Sequence, residues 1–351
     1  MLRRSSINLS RLVCLFSLLA GLLWLTVPVR AATNGAGFAV QLVKNSRQST
    51  ATSSYFDLQV KPNQTGTVQM RVVNLTQKTV RLQLNANTGY TTSNGVEAYD
   101  KATLGELSTA KYQLKTIFKV PHKITLAPAA SKLITIPYTM PADSFNGILE
   151  GAFYFLNLDK GPAQTTNQKG FQIHNRYALA LGVVLREHKT PKVKPDLALT
   201  GMTTGSDQQS KFSPAIGVKL ANTQAQLLTH LKIDGRVYDA TGQLQFKTVR
   251  KDLGMAPNSN FTYLINTKNQ RLAAGKYRVR VVATAHQQRW VFTRYFTVTK
   301  SQANKVNQQV PRDWHWLWWF LIIVVILLII LLIWLAYRYG QRKGQQQSKQ
   351  K

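Results

Sequence analysis

The sequence predicts an all-β chain of two modules followed by one membrane-crossing helix, and three observations carry that prediction. From Phe38 to Val298, short runs that alternate apolar and polar residues are separated by turn residues, with no sustained helical period. One stretch, His188-Lys189-Thr190-Pro191-Lys192-Val193-Lys194-Pro195, has little to bury and divides that region in two. Near the end, Trp314 to Tyr337 is apolar almost throughout and would reach roughly 36 Å as a helix, enough to cross a bilayer.

Taken in order, the chain opens with Arg3, Arg4 and Arg11, an apolar run from Leu12 to Val27 and the small residues Val29 and Ala31. This is the pattern of a secretory leader cut after Ala31. Cys14, the one cysteine, lies inside the leader, so the mature chain is expected to hold no disulfide. Strands are predicted at Tyr55 to Val60, Thr67 to Val73, Val80 to Ala86, Lys123 to Leu126, Lys132 to Tyr138, Ile148 to Asn157 and Tyr177 to Arg186. Turn residues such as Lys61-Pro62-Asn63-Gln64 and Ser93-Asn94-Gly95 separate them, and Lys101 to Lys115 is left for a short helix or loop. The second half repeats the style at Leu197 to Thr200, Ala215 to Ala221, Leu231 to Tyr238, Leu244 to Val249, Asn260 to Ile265, Lys276 to Thr284 and Arg289 to Val298. About seven short strands per module suit two immunoglobulin-like β-sandwiches. Asn74 and Asn222 each close an alternating strand, a faint internal echo.

In the apolar run, Ile, Val and Leu fill Leu321 to Ile333. Trp314, Trp316, Trp318 and Trp319 crowd one end, while Trp334 and Tyr337 mark the other beside Arg338, as expected of rings that settle among lipid headgroups. The tail after it carries five bases and no acid, which puts it in the cytoplasm and the modules outside. The expected division is therefore leader 1–31, first sandwich 33–190, second sandwich 192–300, juxtamembrane linker 301–313, span 314–337 and basic tail 338–351.

The chain carries 45 Lys+Arg against 14 Asp+Glu, a net charge of +31. As one number that suggests nucleic acid, but four bases fall in the leader and five in the tail, leaving 36 bases against all 14 acids, net +22, on the outer side. The anions in reach there are wall polymers, lipid headgroups and acidic proteins, and no nucleic acid partner is expected. On the strand from Lys276 to Thr284, Tyr277, Val279, Val281 and Ala283 face inward while Lys276, Arg278 and Arg280 form an outward row. That row is either a surface for an acidic partner or a solvated strand face. Tyr90, Tyr99 and Tyr154 are rings that either stack on sugar faces or pack in the core.

Catalytic constellations are thin. The six histidines never fall three or four residues apart, and neither a metal nor an organic cofactor is expected. Ser108-Thr109-Ala110-Lys111 and Ser144-Phe145-Asn146 fit two of the three elements of penicillin-recognising enzymes, but Lys-Thr-Gly is missing and an all-β module lacks the buried helix start that such a serine needs. A wall-modifying enzyme, through these residues or through paired carboxylates, is the alternative to a binding protein.

Several segments resemble the WxL-interacting cell-surface proteins of lactobacilli and enterococci. In the first module they are Tyr55-Phe56-Asp57-Leu58, Val60-Lys61-Pro62-Asn63-Gln64, Asn87-Thr88-Gly89-Tyr90-Thr91 and Pro141 to Gly151. In the second they are Met255-Ala256-Pro257-Asn258-Ser259-Asn260-Phe261, Leu272 to Tyr277 and Trp290 to Phe296. The resemblance implies a peptidoglycan-binding first module and a second module that engages secreted WxL-domain proteins or host matrix components, which agrees with the separate reading of a non-enzymatic, cationic ectodomain tethered to membrane lipid.

Overall fold

The computed structural model describes residues 35–48, 54–159, 164–165, 172–173, 176–190, 193–308, 310 and 315–347. The leader expected over 1–31 with its Cys14, residues 191–192 of the dividing stretch, Trp314 and residues 348–351 lie outside the described residues, as do the side chains of Trp316, Tyr337 and Arg338.

The first module contains β1 (Phe38–Val43), β2 (Phe56–Gln59), β3 (Thr65–Asn74), β4 (Val80–Thr88), β5 (Tyr90–Thr91), β6 (Glu97–Ala98), the short helix α1 (Leu114–Ile117), β7 (Lys123–Leu126), β8 (Ser131–Thr139) and β9 (Ile148–Asn157). The small hairpin β10 (Gln164–Thr165) and β11 (Gln172–Ile173) follows, and then β12 (Ala178–Arg186). The second contains β13 (Leu197–Asp207), β14 (Ser213–Asn222), β15 (Leu228–Tyr238), β16 (Leu244–Met255), β17 (Asn260–Asn266), β18 (Gly275–Ala285), β19 (Gln288–Val298) and helix α2 (Lys300–Asn307). Helix α3 spans His315–Gln347.

Each module is a two-sheet sandwich. In the first, β1-β3-β8 faces β2-β12-β9-β4-β7; in the second, β13-β14-β17 faces β16-β15-β18-β19. All the ladders are antiparallel except β2 with β12, which run parallel from Val183↔Phe56 to Arg186↔Gln59. Period-two alternation sets the faces: Val80, Leu82, Leu84 and Ala86 of β4 point inward while Arg81 is exposed. In β9, Ile148 to Phe153 are all buried, because its inner face meets the core and its outer face is covered at the junction between modules.

The first core is aromatic. The rings of Phe56 and Phe153 meet edge to face at 5.9 Å, Phe118 and Phe153 at 5.0 Å, and Phe118 and Tyr138 tilted at 5.7 Å. Such pairs add about 0.5–1.5 kcal/mol each beyond their burial. The second core is mostly aliphatic around Tyr263, whose single hydroxyl proton is directed at the Thr248 carbonyl (2.7 Å) with the Ile233 carbonyl also in reach (3.1 Å).

Three departures from the sequence reading have physical causes. β1 was not predicted because Phe38, the only fully buried residue of its six, gives no alternating stripe. β13 runs on to Asp207 through Gly201 and Gly205, since its pairing with β14 supplies what those weak strand formers lack. Residues 301–313, read as a linker, begin with α2, whose Ala303 and Val306 are buried against the second core under a Thr299–Gln302 capping box.

In α3, Leu317–Leu335 has a mean hydropathy of 3.2 and no residue buried, so the helix is long and apolar enough to cross a membrane. Trp318 and Trp319 are each 68% exposed near its start, and Trp334 lies near the far end of that stretch.

Candidate functional sites

Three surfaces have the make-up of binding sites. The first is a cleft of about 670 Å³ in the first module, lined by Arg47, Gln48, Gln59, Lys61, Gln64 and Glu187. Lys61 N donates to the Gln64 side chain (2.8 Å) in the turn that leaves β2, and Asn63 takes a left-handed φ of 56° there. Gln59 Nε2 donates to the Glu187 carbonyl (3.2 Å), and Arg47 Nη1 to the Tyr138 hydroxyl (3.1 Å). These bonds hold amide and charged groups around an open cleft of mixed polar and apolar surface, of the kind that suits a glycan or peptide. The sequence reading missed it because its residues come from three separate segments; the Val60 to Gln64 motif was the available signal.

The second surface is the junction of the modules. The β5–β6 hairpin reaches across from the first module, and its turn is closed by Gly95 at φ +69°. Gly254 N donates to Gly95 O (2.7 Å), Ala256 N to Thr91 Oγ1 (3.1 Å), and Thr91 and Ser259 share a hydroxyl bond of 2.5 Å. Thr109 N donates to Asn258 O (2.7 Å) and Ile148 N to Ala225 O (2.7 Å). At Gly147, with φ +98°, a Cβ would lie 2.1 Å from Ala225 O, so only glycine allows this approach. The family-like segments at 87–91, 141–151 and 255–261 thus converge here.

Tyr90 and Tyr99 serve this junction. Tyr90 is buried, its hydroxyl donates to Asp100 Oδ1 (2.7 Å), and burial followed by that bond pushes its pKa up to about 12. Tyr99 donates to Glu150 Oε1 (2.6 Å) and lines a second cavity of about 420 Å³ with Tyr55, Glu150, Arg186 and Gln226. Burial, and then the neighbouring Glu97, push Glu150 up to about 7. Arg186 pairs with buried Asp57 at 2.8 Å.

The third surface is the outer face of β15, β18 and β19. Lys276, Arg278 and Arg280 point outward on β18, with Arg278 stacked 4.5 Å from the Tyr238 ring centre. Arg280 lies opposite Arg236, which grips Asp234 through two bonds of 3.0 and 2.9 Å and holds that carboxyl below its ordinary pKa. Lys232, Arg280, Thr284 and Arg289 line a groove of about 260 Å³ beside them. Among the described residues Arg280 and Arg289 make no ion pair, and Lys232 acts on Asp234 only as a more distant charge. Sequence reasoning missed Lys232, Arg236 and Arg289, although the alternation used on β18 also applies to β15 and β19.

The residues of the catalytic alternative are engaged elsewhere. Ser108 Oγ donates to Asn258 O (3.2 Å), Lys111 Nζ pairs with Asp143 (2.6 Å), and Ser144 bonds Glu187. Among the described residues no group of three potential metal ligands occurs.

Residues 38–157 match the peptidoglycan binding domain of WxL Interacting Protein, and residues 168–308 match its host binding domain, in that order. The chain belongs to the WxL-interacting protein family. Both domains of this WxL-interacting protein are described as binding domains rather than enzymes, and the first fits a cell-surface location. No curated protein matches. Similar solved structures include the Pseudomonas aeruginosa CupB2 chaperone, 13% identical over 65% of this chain and 91% of that one (TM-score 0.25). The class 5 fimbriae chaperone CfaA is 12% identical over 73% and 99% (TM-score 0.25). The PapD-like domain 7 of human CEP192 is 12% identical over 44% and 87% (TM-score 0.24).

Proposed function

We propose that this WxL-interacting protein is a membrane-anchored adaptor. Its first module holds peptidoglycan, and its second holds a secreted WxL-domain protein or a host matrix protein. A leader over 1–31 exports the chain, the span at 314–337 anchors it with rings among the lipid headgroups, and the basic tail 338–351 stays in the cytoplasm. Residues 33–190 and 192–300 act as the two binding units. The observation that carries this reading is the presence of a peptidoglycan-binding and a host-binding domain in one chain, joined by backbone hydrogen bonds.

In the first module the 670 Å³ cleft is the proposed wall site, and the Tyr99 cavity is secondary to it. In the second, Lys276, Arg278 and Arg280 are proposed to meet acidic groups of the protein partner. The test is cosedimentation of the full chain in detergent micelles with purified peptidoglycan, with and without a secreted WxL-domain protein. Retention of the chain by the wall and of the WxL protein by the chain is expected; retention of neither overturns the reading. Release of soluble muropeptides by the same preparation, abolished by Ser108→Ala, would instead support a wall-modifying enzyme.

A further inference from the structure

We infer that β19 is a docking edge onto which a protein partner adds an extended strand with acidic residues at alternate positions. Sheet edges expose unpaired backbone groups, and proteins blunt them with short strands, prolines, bulges or covering segments. Among the described residues the other edges follow that rule. β1, β2, β7 and β17 have seven residues or fewer. β8 carries Pro137 and is bridged by Phe118 at Tyr138. β13 is bulged between Leu199 and Gly201, and β16 breaks register three times and is covered at Gly254 by Gly95.

β19 has none of these devices, and what guards it is charge, from the exposed Arg289 and Arg294. Its 11 residues pair with β18 in unbroken register from Gln288↔Ala285 to Val298↔Gly275, without proline, glycine or bulge. Its other side makes no backbone bond to any described residue. On its outward face Tyr295 is 82% exposed and Val291 43%, apolar surface that a solvated edge does not need.

Charge identifies the occupant. Arg289 on β19 and Lys276, Arg278 and Arg280 on β18 share the outward face beside the edge, Arg294 lies on the opposite face, and neither strand carries an acid. A strand added beside β19 would complete the backbone ladder, set acidic side chains at alternate positions on the outward face among Arg278, Arg280 and Arg289, and turn the apolar ones between them to the inner face beside Phe292 and Phe296. A phosphate polymer would satisfy the charges only, leaving the free backbone groups of the edge and the half-buried Phe292 and Phe296 beside it without a role. The inference rests on the reading that the second module holds a protein, and it names the surface and the mode.

The probe is a blocked nine-residue peptide alternating valine and glutamate, added to the full chain in detergent micelles. Binding is expected with slowed amide exchange over 288–298, an affinity that falls as salt is raised, and at least a tenfold loss in R280E/R289E. The same variant is expected to lose the WxL-domain protein while sedimenting with peptidoglycan as the parent does. Unchanged exchange over 288–298, or peptide affinity in the variant within twofold of the parent, overturns the edge proposal. So does binding of a glycerol phosphate polymer in place of the peptide. Retention of the WxL protein by R280E/R289E would leave the adaptor standing and remove β19 from it, whereas loss of wall retention by the parent would remove the adaptor.

Discussion

Asn74 in the first module and Asn222 in the second close equivalent strands with the same device, yet the surroundings of the two modules diverge. Asn74 Nδ2 donates to the carbonyls of Lys78 (2.7 Å) and Ala127 (2.7 Å), while its Oδ1 accepts from Thr76 N (2.9 Å). Asn222 Nδ2 donates to Gln226 O (2.7 Å) and Ala256 O (3.1 Å), and its Oδ1 accepts from Gln224 N (3.3 Å). Around this shared turn, the first module packs aromatic rings and buries both faces of β9. The second packs aliphatic side chains and leaves a cationic sheet face and a bare edge. The difference teaches that the fold is specified by a few buried polar turns, whereas binding character is set by what covers the sheets.

The largest effect should come from breaking the shared device. Asn74→Ala leaves buried carbonyls without donors and is expected to destabilise the protein by about 2–4 kcal/mol. Asn222→Ala should lose slightly less, given its longer bonds, and urea melts of the full chain in micelles compare the two. If either substitution is neutral, the turns are not the shared specification.

Next in size is the junction. An acid held above its unfolded value keeps its proton more firmly in the folded state. The contribution of Glu150 is therefore complete below about pH 4.5 and is lost as the pH rises through about 7. The groups around it are Glu97 and Tyr99 from the hairpin and Arg186, already paired with Asp57, from β12; Gln226 and Leu227 from the second module are uncharged. Melting temperature should fall between pH 5 and 7.5, by an amount corresponding to about 1–3 kcal/mol. Glu150→Gln should flatten that slope, and a flat parent profile would contradict the assignment.

A smaller test contrasts the cores. Tyr263→Phe removes one hydroxyl donor from the aliphatic core, with two carbonyls in its reach, and should cost about 1–2 kcal/mol in the same melts. Smallest of all, Arg278→Ala on the open face should change stability by about 0.5 kcal/mol or less while weakening the acidic peptide, separating binding from folding on that sheet.

Much of this was legible in the sequence because period-two burial is a local signal. Tyr277, Val279 and Val281 against Lys276, Arg278 and Arg280 read correctly from the stretch Lys276 to Thr284, and the Asn74 and Asn222 echo corresponds to a turn now seen in both modules. The junction was not legible. Thr91 and Ser259 are 168 positions apart, and neither residue type announces a partner at that distance. Tyr90 and Tyr99 could be singled out as rings, but their hydroxyl partners Asp100 and Glu150 follow only from the hairpin that brings them together. The open cleft was hidden for the same reason, since Arg47, Gln64 and Glu187 meet only after the sheets close.

The parallel pairing of β2 with β12 has a mechanical consequence. Tension drawn along the chain at Arg186 runs lengthwise through the ladders to β2 and β9, so their hydrogen bonds share the load and must yield together rather than unzip singly. A first module gripped by a rigid wall would then resist being peeled open from its C-terminal end, and rupture would begin elsewhere along the path of the force.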